Sequence, residues 1–153
     1  TGTLVLAVPA TASSPRELAH LTAAERLVLG TPEVPVVRYA DALLDDAAAR
    51  YGADWHAAVQ TRVVSREPDA RKVAAKVALG EADAAIVYAS DLRGLEGVRA
   101  VPLPPGLGPT PTYVQGPLRD APSPALAAAW MQLVRSDAGH RALLERGLHP
   151  VDP

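Results

Sequence analysis

The chain has 153 residues, 48% of them hydrophobic and 21% charged, with a net charge of −2 and no cysteine. That length suits one α/β domain with a substantial core, and the near-neutral charge removes the electrostatic case for nucleic acid or an anionic membrane. Disulfides, thiolate catalysis and cysteine-based zinc sites are excluded, and no apolar run approaches the ~20 residues of a membrane span.

The chain begins at Thr1, without Met, directly before the apolar run "TGTLVLAVPA", which predicts that any signal peptide or upstream domain has been removed. Thr3–Val8, ended by Pro9, reads as a buried strand. Ser14-Pro15 has the form of an N-cap followed by proline at the first helical position, and predicts a short helix to about His20. Leu27–Leu29 is a second strand stopped by Gly30. A helix from about Val36 to Arg50 follows, with Gly52 just past its end, and Trp55–Gln60 adds one or two helical turns. Thr61–Ser65 is a third strand, and Pro68-Asp69 opens a helix over Ala70–Leu79, closed by Gly80. Ala84–Tyr88 and Val98–Val101 are further strands.

Strands alternating with helices at this spacing predict a mostly parallel sheet covered by helices on both faces, in three layers. The stretch "VPLPPGLGPTPT", Val101–Thr112, holds five prolines and two glycines in twelve residues. It is read as a stiff connection. Beyond it, "TYVQ" is a candidate strand. Two helices follow, Pro124–Arg135 capped by Ser123 and Asp137–Arg146 capped by Ser136. The whole chain, residues 1–153, is thus one α/β lobe: a sheet-forming core over 1–100, the connection 101–112, and a C-terminal strand and helices over 113–153.

Three features converge on the carboxyl edge of such a sheet, where open α/β folds place their ligands. The second strand leads through "TPEVP" to a helix start near Val36-Val37, and the third leads through "REPD" to one near Asp69-Ala70. The fourth ends in Tyr88. Helix N-termini carry unpaired N–H donors and roughly half a positive charge, so they attract anions. A proline at the first turn fixes the approach and leaves the next donors free. The plainer alternative is that Pro35 and Pro68 only start helices, and a capping carboxylate at Asp69 supports it by taking donors that an anion needs.

In "LVLGTPEVPVVRYADALL", "EPDARKVAAKVALGEADAAIVYASDL" and "SPALAAAWMQLVRSDAGHRALLERGL", in that order, the chain resembles the molybdate-binding proteins of bacterial ABC transporters, which are type II periplasmic binding proteins. The most specific part is "GEADAAIVYASD", which in that family closes the anion site with a tyrosine at a strand end. The resemblance implies the second lobe of a two-lobed protein plus its C-terminal segment. It also implies a tetrahedral oxyanion ligand, molybdate or tungstate, held by the backbone N–H groups of Val36 and Ala70 and the hydroxyl of Tyr88. It further implies ABC permease subunits as partners, a first lobe preceding Thr1, and no cofactor. The implied location is periplasmic or extracellular, with any membrane anchor in a removed N-terminal segment.

The chain departs from the family where small residues usually stand, at Val36 and Val37; a β-branched side chain there crowds the approach and restricts the backbone. Ser13 and Ser14 do not replace the serines of the family's first lobe. Arg38, one turn inside the helix, is a candidate for stabilising a bound dianion from behind, against the plainer reading of an exposed arginine.

Other constellations carry less. His20, His56, His140 and His149 form no HExxH or related spacing, so no metal site is expected. Ser90, Asp91 and His140 lack the G-x-S-x-G setting of a nucleophile elbow, and "PPGLGPTP" has prolines where a phosphate loop needs free donors. There is no Phe, so Ala, Val and Leu must fill the core. Trp130 and Met131 are expected in the core or at a contact between lobes, where an uncovered apolar patch would favour association. The expectation is therefore a binding protein and not an enzyme; the alternative is a sensor lobe of a regulatory protein with a small ligand that is not an oxyanion.

Overall fold

The computed structural model describes residues 1–151. Five strands, β1 (Leu4–Pro9), β2 (Leu27–Gly30), β3 (Val63–Glu67), β4 (Ala84–Tyr88) and β5 (Val98–Pro102), form one sheet in the order β3-β2-β4-β1-β5. Five α-helices accompany them: α1 (Pro35–Tyr51), α2 (Ala53–Gln60), α3 (Ala70–Ala78), α4 (Pro124–Arg135) and α5 (Asp137–Glu145).

Burial on both faces explains why the central strands are unbroken apolar runs. Leu4, Leu6 and Val8 of β1, with Leu27, Leu29, Ala84 and Ile86, pack against α1, α2 and a 3-10 turn at Leu18–Ala23. Val5, Ala7, Val28, Ala85 and Val87 pack on the opposite face against α3. Helix α1 supplies Val36, Val37, Ala40, Leu43, Leu44 and Ala47 as its buried stripe, at the three- and four-residue spacing of an amphipathic helix. Gly52, at φ 98°, ends it. The Asp83 carboxylate pins the start of β4 beside that of β2: it accepts from the backbone N–H groups of Glu25 and Arg26 and pairs with the Arg26 guanidinium at 2.6 Å. That guanidinium holds the Asp83 carboxyl below the usual carboxylate range.

The α/β class and the three-layer arrangement are as expected, but the sheet is mixed instead of mostly parallel. β2 runs parallel to β3 and β4, whereas β1 runs antiparallel to both of its neighbours, β4 and β5. A short apolar run carries no direction. The direction of β1 is set by its insertion between β4 and β5, which are themselves joined by only nine residues, 89–97.

Two local expectations are also corrected. Ser14-Pro15, a cis bond, opens no helix, and the 3-10 turn begins only at Leu18, after an extended Glu17. The Arg99 guanidinium donates to the carbonyls of Ala12 and Pro15, so these acceptors are tied to β5 and do not start a helix. "TYVQ" forms no strand: Pro111 O accepts from Gly2 N–H at 2.7 Å, but Val114 is 92% exposed and the segment has no ladder partner among the described residues.

Candidate functional site

Because β1 is antiparallel, its first residue Leu4 faces Tyr88 across the ladder. The carboxyl ends of β2, β3 and β4 still share one edge. There, the turn after β2 is closed by the N–H of Thr31 donating to Glu67 O and that of Val34 donating to Thr31 O, both at 2.9 Å. This stitching delivers Pro35 to the first position of α1. Gly30 permits it: a Cβ at Gly30 would lie 3.1 Å from Val34 Cβ.

A cavity of about 380 Å³ opens on this edge, lined by residues of the two turns, by the starts of α1 and α3, and by two tyrosines. Val36, Ala70 and Tyr88 all border it. Val36 and Ala70 stand within the first turns of their helices, where amides have no intrahelical acceptor, and neither N–H has a protein acceptor among the described residues. Val37 differs: its N–H donates to Val34 O at 3.0 Å and is spent. Val36 is only 1% exposed, with its side chain packed in the core. Asp69 takes less than expected. Its carboxylate caps α3 by accepting from Lys72 N–H at 2.8 Å, which leaves the amides of Ala70 and Arg71 without an acceptor.

Tyr88 is half-buried, and burial, followed by the neighbouring Tyr113, Tyr39 and Asp91, pushes its phenol up to about 12, against a small opposing pull from the Arg38 charge. The hydroxyl therefore stays a neutral donor at ordinary pH. The backbone N–H of Tyr88 donates to Asp91 Oδ2 at 3.2 Å, and burial raises the Asp91 carboxyl. Arg38 is exposed and does not border the cavity.

Two of the bordering residues, Glu33 and Tyr113, have no counterpart in the sequence reading, and Asp69 entered it only as a cap. Glu33 and Asp69 place two carboxylates on the lining, and the Thr31 hydroxyl keeps Glu33 below its ordinary value, hence ionised. Tyr113 also lines the cavity, with its ring edge-to-face to Tyr88 at 6.3 Å. "TPEVP" and "REPD" held the signal for both carboxylates, because the turn that presents a donor necessarily presents its own side chains. Nothing local in "TYVQ" marked Tyr113, which arrives from the far side of a long irregular segment.

A larger cavity, about 430 Å³, lies between Thr1, Tyr113 and α5. None of Val36, Ala70 and Tyr88 borders it, and no helix N-terminus opens into it. The smaller cavity is the one bordered by the starts of α1 and α3 together with Tyr88.

The fold recurs in solved structures. A domain described as the substrate-binding domain of a molybdenum ABC transporter from Clostridium difficile aligns over 99% of this chain with a TM-score of 0.73 at 23% identity. The sulfate-binding protein SubI from Mycobacterium tuberculosis aligns over 99% with a TM-score of 0.74 at 17% identity. The periplasmic molybdate-binding protein of Azotobacter vinelandii aligns over 99% with a TM-score of 0.66 at 14% identity. At such identities the likeness establishes the fold. The chain spans 64%, 57% and 66% of these three proteins. No curated protein sequence matches it. The description of bacterial extracellular solute-binding proteins matches residues 1–149, so the chain belongs to that family.

Proposed function

We propose that the chain is the ligand-holding lobe of an ABC transporter's solute-binding component, and that its solute is a tetrahedral oxyanion such as molybdate or tungstate. The observation that carries this is the meeting, on one cavity, of two helix N-termini with unclaimed amides, Val36 and Ala70, and one protonated phenol, Tyr88. The fold likeness to molybdate- and sulfate-binding proteins supports it.

The lobe binds by neutral, directional donors and carries out no reaction. Amide and phenol hydrogens point along fixed lines, so they measure the size and shape of an anion. They hold its charge without an ion pair that would slow its release. Arg38 contributes at a distance, through its field. In this reading a first lobe supplies the other half of the pocket, closure over the anion produces the form that the permease subunits recognise, and the protein works in the periplasm or outside the cell. No nucleic acid takes part.

Glu33 and Asp69 favour a second reading, a sensor lobe whose small ligand is not an oxyanion, because two carboxylates repel a dianion. In the transporter reading they set an upper limit on affinity, and much of the Asp69 charge is already engaged by Lys72, through its N–H and through Nζ at 3.8 Å.

Calorimetric titration with molybdate, tungstate and sulfate separates the two. The expected result is heat from the first two and not from sulfate, with Tyr88→Phe weakening binding by about 1 kcal/mol. Absence of binding by all three anions, to this chain and to one joined to an upstream lobe, would remove the oxyanion reading and leave the sensor.

A further inference from the structure

Three of the chain's four tyrosines form one cluster, in a protein without a single Phe, and two of them, Tyr88 and Tyr113, border the candidate cavity. Tyr88 stands at the centre, with Tyr39 edge-to-face at 6.1 Å on one side and Tyr113 at 6.3 Å on the other. Tyr39, on α1, and Tyr88 each pack against the core. Tyr113 does not: it is 54% exposed, yet it borders the cavity.

Its position is built. The buried Gly2 gives its N–H to Pro111 O at 2.7 Å, which anchors the segment two residues before the ring. A Cβ on Gly2 would lie 3.1 Å from Tyr113 Cε2 and 3.7 Å from its hydroxyl oxygen. A side chain at this position would press the ring away from the start of β1 by a few tenths of an ångström. An exposed aromatic held in one place by a glycine and a proline is arranged to meet something.

Building on the oxyanion reading, we propose that Tyr113 is a solute-contacting residue, a second phenol that donates to the bound anion beside Tyr88 and sharpens its discrimination. Two neighbouring phenols can address two oxygens of one tetrahedral anion, whereas a single phenol fixes only one. Both are neutral donors, since burial raises Tyr113 as it does Tyr88. They answer the carboxylates of Glu33 and Asp69, which also border the cavity, without adding charge. Tyr113 also borders the larger cavity beside α5, so a contact made by its hydroxyl is felt by the segment that leads to the C-terminal helices.

The test uses the whole chain with ¹⁵N amides and ¹³C-labelled tyrosine rings, titrated by NMR with sodium molybdate, tungstate and sulfate to tens of millimolar. The amides of Val36 and Ala70 and the rings of Tyr88 and Tyr113 are expected to shift together, with one dissociation constant for each anion. Tyr113→Phe keeps the ring packing and removes the donor. It should weaken molybdate about 5-fold and narrow the gap between molybdate and sulfate. If Val36, Ala70 and Tyr88 respond but Tyr113 does not, or if Tyr113→Phe binds like the wild type, the inference fails and the oxyanion reading stands. If no residue responds to any of the three anions, in this chain and in one joined to an upstream lobe, both fall together.

Discussion

At the scale of single residues, the candidate site balances donors against misplaced charge. Glu33 is ionised and borders the cavity that a dianion would enter. Glu33→Gln should therefore tighten molybdate binding by about 2- to 5-fold in dilute buffer, with the gain shrinking at about 0.15 M salt as the exposed charge is screened. Calorimetry at two ionic strengths checks both parts. An unchanged affinity would mean that Glu33 points away from the bound solute. Tyr88 gives the pH counterpart. An ordinary phenol ionises near 10, but burial holds this one to about 12. A raised value means that the folded chain favours the neutral form. The resulting stabilisation is full below the ordinary value and disappears as pH climbs through about 12. Phenolate absorbance should show a component ionising near there that Tyr88→Phe removes, and oxyanion affinity should stay flat, as far as this group is concerned, from pH 7 to about 10.

At the scale of elements, the approach of β2 to the turn before α1 decides where the Val36 amide points. Gly30→Ala puts a methyl 3.1 Å from Val34 Cβ, and Val34 is itself buried, so one of the two must move. The expected cost is about 1 kcal/mol of stability by urea denaturation. Because the displaced turn carries Pro35 and Val36, calorimetric affinity for molybdate should fall as well. Retained affinity beside lost stability would separate the turn from the site. This turn was legible in the sequence for the same reason that it matters: "GTPEVP" is dense in residues that restrict the backbone. Likewise Ala84–Tyr88 and Pro124–Arg135 lie where Gly, Pro and Ser bound an apolar or Ala-rich run. Strand direction was not legible, since Leu4–Val8 reads the same either way and only its place between β4 and β5 orients it. Ser14-Pro15 misled because a local capping pattern was overruled by a distant guanidinium, Arg99. Tyr113 escaped notice because its role depends on Gly2, more than a hundred residues away in sequence.

At the scale of the whole molecule, stability is distributed unevenly. Sheet and helices α1 to α3 bury their apolar stripes, but α4 and α5 have no buried residue. Leu126 and Trp130 are 71% and 63% exposed, so Trp130 lies at the surface of this lobe and is no part of its core. Helices that bury little draw little from tertiary packing, and regions with few buried contacts open locally at low free energy. Hydrogen exchange followed by mass spectrometry should therefore show peptides from β1, β2 and β4 exchanging slowly, near the rate of global unfolding. Those from Pro124–Glu145 should exchange faster by orders of magnitude. Equal protection would mean that the C-terminal pair is held by something other than burial within this lobe. In the transporter reading the exposed face is where a first lobe rests, and the chain spans only 64% of the Clostridium difficile domain it resembles. Joining an upstream lobe should then slow exchange in α4 and α5 selectively, leaving β1 and β4 unchanged. Slower exchange at higher concentration of the unjoined chain would instead mean that a second copy covers the face, as apolar patches of this kind often arrange for themselves.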